Sequence, residues 1–469
     1  MTTTPSEVSE PGRVAYVALV ACTTLGTLSS TIITSPINRI ASSLGASPRE
    51  IVFAVAAFTL AMVLFAPLAG WLCERLGPRR FLLASLVLML VAGVGAALSP
   101  NLPVLVAMRA LQGFGCSGIP PAVQQTLGVF WVRNRGRVMA AWASAIGIGQ
   151  ALGPPLGGVV ADLVGWRGVF VTHAVLCGVL GLLVLRFVPA APAGRPAMHV
   201  SGMLTLVVGV GGLVGAVTVV GQGGTWSLTA ALVALGVVGV LLHLVVSRRS
   251  THALVEPRLL VERRYLRSTV AAGAVMAILG IFIVATPLEL GQEFGLSPSR
   301  IGAITVALAA SMALFAPVSS RIGERITPRR VMHLGLAFLV CTPLLLPLAL
   351  SLEGPALPLV AGFVVLAATG CAIGSVQSVA ALGVMRSPAA ANGTALGIHN
   401  MVRFSGLAAG YAWVALSYPT GHFLLVFAGP AVLAAVALAV VLVGPPAAPV
   451  EDAPTRAEVR APGAPAVGT

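Results

Sequence analysis

Fourteen apolar runs follow one another along this chain, each near the 20 or so residues that a helix needs to cross about 30 Å of hydrocarbon. They predict spans at 14–36, 51–73, 81–98, 102–123, 138–161, 168–188, 200–220, 228–246, 270–288, 301–322, 331–350, 357–379, 392–416 and 423–443. With 57% of residues hydrophobic, 9% charged and a mean hydropathy of +0.97, the chain has too few charges to clothe a water-soluble surface. An all-α integral membrane protein is therefore expected. The first run is too long for the apolar core of a cleavable leader, and no A-x-A site follows it, so no signal peptide is expected. Cys22, Cys73, Cys116, Cys177, Cys341 and Cys371 lie within or at the ends of apolar runs without metal-ligand spacing. They read as small packing residues, and neither a metal nor a cofactor is expected.

The formal charge of +14 would suggest nucleic acid in a soluble chain, but here every basic residue is an arginine and most sit in short gaps between spans. That is a pattern of membrane topology, and no nucleic-acid partner is expected. With the N-terminus in the cytoplasm, the cytoplasmic gaps as far as the last span hold 20 arginines, and the opposite gaps hold four: Arg39, Arg49, Arg167 and Arg300. The bias places both termini in the cytoplasm of a cell-membrane protein.

Comparing the halves at an offset of 250 residues exposes a duplication. Leu64-Phe65-Ala66-Pro67 recurs as Leu314-Phe315-Ala316-Pro317, and Glu74-Arg75 with Pro78-Arg79-Arg80 recurs as Glu324-Arg325 with Pro328-Arg329-Arg330. At an offset of 257, Gly149 and Gly153 meet Gly406 and Gly410. The expected organisation is a cytoplasmic tail at 1–13, a six-helix bundle at 14–190, two added helices at 200–246, a basic cytoplasmic linker at 247–269, a second six-helix bundle at 270–443 and a disordered tail at 444–469. Repeats of this kind place a binding site between them, near the bilayer midplane.

The loop Gly70-Trp71-Leu72-Cys73-Glu74-Arg75-Leu76-Gly77-Pro78-Arg79-Arg80 resembles the major facilitator superfamily signature G-x-L-x-D-R-x-G-x-R-[KR], with Glu74 where the family has Asp. Gly70 permits close helix approach and Gly77 a tight turn. The charges of Glu74, Arg75, Arg79 and Arg80 are able to pair in one conformation and separate in another. The fourth span carries Arg109-Ala110-Leu111-Gln112-Gly113-Phe114-Gly115, similar to the family pattern R-x-x-Q-G-x-G. The fifth carries Gly149, Gly153, Pro154, Gly157 and Gly158 in the arrangement of the family's antiporter motif, followed by Gly165-Trp166-Arg167 and Phe170. Repeated glycines leave a groove for a neighbouring helix, and Pro154 removes a backbone donor. The resemblance covers residues 14–443 and implies the major facilitator fold, with two pseudo-symmetric six-helix bundles plus two inserted helices. More closely, it implies the fourteen-helix drug:proton antiporter branch.

Arg109 lies seven residues inside the fourth span, about 10 Å deep, and Arg403 eleven residues inside the thirteenth, about 16 Å deep. Charges at such depth face a polar cavity or partner, snorkel, or bond to carbonyls as packing glue. His399 is four residues from Arg403 and shares its helix face. The candidates for the cavity and for coupling are Arg109, Gln112, Arg403, His399 and Glu289. Relatives with fourteen helices carry an acid in the first span, where this chain has Ser29 in Leu28-Ser29-Ser30-Thr31-Ile32. No carboxylate lies deep in any span; Glu289, Glu293 and Asp162 sit at the rims. Proton coupling thus follows from the resemblance, with His399 or His173 as other groups able to titrate.

The resemblance implies a monomeric secondary transporter in the lipid bilayer that exports drugs, antibiotics or an endogenous secondary metabolite by alternating access, driven by protons. The alternatives are an uptake permease or facilitator without proton coupling, and a transport-inactive membrane sensor or scaffold. No motif with paired catalytic groups is present and no G-x-x-x-x-G-K-[ST] loop, so neither an enzyme nor an ATP-driven pump is expected. With Arg109 and Arg403 as its deep charges, the cavity is expected to be net positive and to favour anionic or neutral acceptor-rich cargo.

Overall fold

The computed structural model describes residues 10–443 except 192, 195–198, 222–223, 250–256, 297, 355 and 419–420. The predicted tail at 444–469, most of that at 1–13 and part of the basic linker lie outside the described residues. Among the described residues there are sixteen α-helices, of which all but the four-residue helix Pro257–Leu260, inside the basic linker, come from the apolar runs or their rims. They are α1 (Arg13–Thr31), α2 (Ile37–Ser43), α3 (Pro48–Leu76), α4 (Pro78–Ala97), α5 (Leu102–Ser117), α6 (Ile119–Phe130), α7 (Arg135–Phe187) and α8 (Val200–Gly221), then α9 (Trp226–Arg249), α10 (Pro257–Leu260), α11 (Arg263–Gln292), α12 (Pro298–Ile326), α13 (Pro328–Leu350), α14 (Leu357–Met385), α15 (Gly393–Ser417) and α16 (Phe423–Leu442).

Twelve helices among the described residues, α5 and α6 counting as one, are long and apolar enough to cross a membrane. Two features separate that number from the fourteen predicted spans. The 53 residues of α7 would extend about 80 Å at 1.5 Å per residue, more than twice the hydrocarbon thickness. Its backbone leaves helical geometry at Gly165 (φ 78°, ψ 168°), a combination open only to glycine, so two arms, 135–164 and 166–187, meet there without a loop. The helix runs through Pro154 and Pro155 without a second break. The 25-residue α15 corresponds to the thirteenth run, and the polar group His399, Asn400 and Arg403 at its middle lowers its hydropathy below that of the other helices. The remaining differences from the predicted spans are at helix ends. The first helix stops at Thr31 rather than Pro36, while α3 and α14 overrun their apolar windows. A capping box starts α3, in which Ser47 and Glu50 exchange hydrogen bonds, and those bonds hold the exposed Glu50 carboxyl below the usual carboxylate range.

Contacts between helices reproduce the duplication seen in the sequence. In the first half α1 packs on α7, α3 on α5 and α4 on α7; in the second, α11 packs on α15, α12 on α14 and α13 on α16. The two loops joining the second and third helix of each half have the same turn: Gly77 has φ 83° and Thr327, at the equivalent position, φ 86°. Thr327 holds this unfavourable backbone while its hydroxyl caps the N–H of Arg330. Arg79 donates to the carbonyl of Leu185 and Arg329 to that of Leu442, one bond in each half and 257 residues apart at the acceptor.

The halves meet along two symmetric seams, α3 against α15 and α7 against α12. Glycines set the distance. A Cβ on Gly70 would overlap the carbonyl of Gly393, and one on Gly397 would overlap that of Ala66. The inserted pair stands outside this arrangement: α8 touches both α3 and α15, while α9 packs on α8 through facing glycines, Gly209 with Gly239 and Gly212 with Gly236.

Candidate functional site

The loop at 70–80 is held against the opposite half. Glu74, in the last turn of α3, accepts the backbone N–H of Gly393 at 2.8 Å, so a carboxylate sits on the positive N-terminal end of α15. The backbone carbonyl of Glu74 also accepts from Gly194 at 2.7 Å. Arg75 lies over the Trp71 ring, Arg79 reaches Leu185, and Arg80 is exposed. Two more hydrogen bonds cross the seams: Asn400 donates to Gln124 at 3.1 Å, and Ser144 to the carbonyl of Ala313 at 2.7 Å. Gln124 and Ser144 were not among the candidates. A polar side chain on a buried helix face was their one sequence signal, and their partners lie more than 160 residues away.

A narrow cavity of about 40 Å³ lies between the halves, lined from α1 by Thr23, Thr27 and Ser30, from α7 by Trp142, Ile146 and Gln150, and from α15 by Arg403, Phe404 and Leu407. Met62, Cys116, Ile119 and Met276 complete an otherwise apolar wall. Arg403 is the one charged side chain among the described residues lining it, and no carboxylate lines it. Trp142, Ile146 and Gln150 are spaced by four residues, one stripe of α7, and this stripe too was not singled out in the sequence.

The two deep arginines have different surroundings. Arg109 donates from Nε to the carbonyl of Ala54 (3.3 Å) and from Nη1 to that of Ser29 (3.2 Å) and to Oε1 of Gln112 (2.9 Å), with its guanidinium 4.3 Å from the centre of the Phe58 ring. It and Gln112 are enclosed within the first half and do not line the cavity. Arg403 gives Nη1 to Oδ1 of Asn400 at 2.8 Å and stacks on Trp142, 4.7 Å from the ring centre; its Nε has no partner. His399, one turn away, turns to α11, where Thr269 bonds to its Nδ1 at 3.0 Å. Glu289 is remote from all of these at the end of α11, accepting from the Tyr418 hydroxyl at 3.3 Å. The Ser29 hydroxyl is bonded to His173 of α7.

The glycine motif of the fifth span packs against α1. Added Cβ atoms would strike Thr27 from Gly149, Thr31 from Gly153 and the carbonyl of Ile32 from Gly157, while Gly158 faces the side chain of Ser35. Gly406 and Gly410 of α15 face the carbonyls of Gly273 and Ala277 on α11 in the same way. Pro154 sits on this stretch, between the glycines that touch α1.

The sequence profile of the Major Facilitator Superfamily matches residues 17–202, 197–411 and 268–467. The chain is similar to MdtD of Escherichia coli (strain K12), a protein named for multidrug resistance, with 28% identity over 308 residues; the match spans 65% of this chain and 65% of that relative's length. Among solved structures, it is similar to the human organic anion transporter MFSD10 (TM-score 0.67, 17% identity, 93% of this chain and 100% of that one). It is also similar to the proton:xylose symporter XylE (TM-score 0.64, 14% identity, 91% and 94%). The family match along nearly the whole chain, the duplicated halves and the signature loop at their seam agree: the chain belongs to the Major Facilitator Superfamily.

Proposed function

We propose that this protein is a secondary transporter of the cell membrane that exports small amphipathic compounds, drugs, antibiotics or an endogenous secondary metabolite, by alternating access. The observation that carries the reading is a cavity on the seam between two repeats of one fold, with the halves held together by Glu74–Gly393 at the end that bears the paired basic loops. Such an arrangement has two accessible packings, one with this seam closed and one with it open. Export is supported by the glycine motif of α7 and by relatives named for multidrug resistance. Fourteen crossings follow from counting the two arms of α7 separately and including α15. Both termini then face the cytoplasm, and one chain contains the complete cavity.

Proton coupling is part of this reading through the family resemblance. A facilitator without coupling is the second reading, and one observation favours it: among the described residues no carboxylate lines the cavity, and Ser29 stands where the resemblance implies a first-span acid. Cells lacking their own exporters, expressing this chain and loaded in turn with cationic, neutral and anionic dyes, separate the readings. Export predicts lower accumulation of at least one dye, restored by an uncoupler if protons drive it and unaffected by the uncoupler if they do not. Unchanged accumulation of every dye contradicts transport.

A further inference from the structure

The cavity wall shared by α7 and α15 gathers three buried side chains that each carry a polar atom without a hydrogen-bond partner. Arg403 is 2% exposed, Trp142 1% and Gln150 7%, all three line the cavity, and Nε of Arg403, Nε1 of Trp142 and Oε1 of Gln150 have no partner. Buried indole N–H groups ordinarily find acceptors, and a buried guanidinium is costly unless a counter-charge or several acceptors meet it. Arg109 is met by more acceptors, two backbone carbonyls and Gln112 for its Nε and Nη1, although its Nη2 also lacks a partner. Arg403 has one neutral acceptor, Asn400, and among the described residues no carboxylate lines the cavity.

We propose that this wall is an oxyanion subsite and that the cargo is an amphipathic monoanion: one carboxylate or sulfonate on an aromatic or aliphatic body. This rests on the transport reading for the cavity's role and adds the class of compound it takes. The anionic group accepts from Nε of Arg403 and from Nε1 of Trp142, two adjacent side chains whose guanidinium carbon and indole ring centre are 4.7 Å apart. The two donors thus present a fixed geometry to the ligand, and little entropy is lost in organising them. The apolar body lies along Ile146 toward Gln150, eight residues and about 12 Å further along α7. There the Gln150 amide meets a second polar group on the cargo. A lipophilic cation finds like charge at one end and no carboxylate at the other.

The test is equilibrium binding to the purified full chain in detergent, using three probes of one shape: naphthoate, naphthamide and naphthylmethylammonium. Naphthoate should bind about tenfold or more tighter than the cation, the range expected of a hydrogen bond to a charged group. Arg403→Gln should remove that preference, Arg403→Lys should retain part of it, and Trp142→Phe, which keeps the ring and deletes the N–H, should weaken naphthoate severalfold while leaving naphthamide less affected. Size-exclusion profiles identify any variant that fails to fold, in which case Trp142→Phe and Arg403→Lys decide. A cation bound as tightly as naphthoate, a naphthoate affinity unmoved by both Arg403→Gln and Trp142→Phe, or binding of none of the three overturns the subsite. Counterflow of naphthoate in proteoliposomes is scored separately. Anion-selective binding without counterflow overturns transport and leaves the subsite standing, whereas counterflow selective for the cation does the reverse.

Discussion

At the scale of single residues, the two buried arginines have distinct tasks. Arg109 ties together the carbonyls of Ala54 and Ser29 on two neighbouring helices, so Arg109→Ala removes these ties, deprives Gln112 of its donor and empties a buried volume, and should destabilise the fold by on the order of 2–5 kcal/mol, read as lost monodisperse protein and a lower unfolding temperature. Glu74 behaves differently. Its carboxylate faces the N-terminus of α15 across the seam, so Glu74→Gln removes a charge from a contact made in one conformation. The variant should shift the equilibrium between packings by about 1 kcal/mol, roughly fivefold, with near-normal folded yield and reduced transport. Normal transport in a folded Glu74→Gln protein would return the loop to a topological role. Depth in the sequence marked both arginines, but it did not distinguish them, because two of the three acceptors of Arg109 are backbone carbonyls, which have no residue signature. The same reason hid Ser144, whose acceptor is the carbonyl of Ala313. Trp142 and Gln150 were hidden otherwise, since a tryptophan and a glutamine on an apolar stripe match ordinary membrane-helix composition.

At the scale of helices, glycine decides how closely elements approach and where they turn. Gly157 faces the backbone carbonyl of Ile32, which has no room to yield, whereas Gly158 faces the Ser35 side chain, which rotates. Gly157→Ala should therefore cost about 1–3 kcal/mol and Gly158→Ala clearly less, measured as the difference in thermal unfolding midpoints. A second pair isolates the backbone. Gly165 has φ 78° with open space around its missing Cβ, so Gly165→Ala pays only conformational strain, about 1–3 kcal/mol. Gly181, an ordinary helical glycine with equally open space, should gain about 0.5–1 kcal/mol on Gly181→Ala. Equal shifts for the two variants would contradict the turn. Most elements were legible as apolar runs, and the repeat offset anticipated the matching contacts of Gly149 and Gly406. The absence of a loop at Gly165 was not, because a single residue with a special backbone angle leaves no polar gap. Nor did hydropathy show that α8 would lie across both α3 and α15, since an apolar surface packs equally well on lipid or protein.

At the scale of the whole molecule, the arginine bias and the fourteen-crossing reading require an even number of passes and a cytoplasmic C-terminus. A reporter fused after the last helix should be active only when cytoplasmic; an external C-terminus would remove one crossing from the account. The duplicated halves were legible because they preserve local strings, whereas the closed end of the seam was not, because it depends on hydrogen bonds between segments hundreds of residues apart. The central claim is that the halves move against each other around the cavity, and the direct measurement is a pair of spin-label distances, on a background with the native cysteines replaced. One pair, at Arg80 and Arg386, spans the seam at the end bearing the basic loops, and the other, at Ser43 and Gln292, spans the opposite end. The account predicts two populations for each pair, with the shorter distance of one coinciding with the longer distance of the other, and a shift between them in Glu74→Gln. A single unchanging distance for both pairs, in wild type and variant alike, would contradict it.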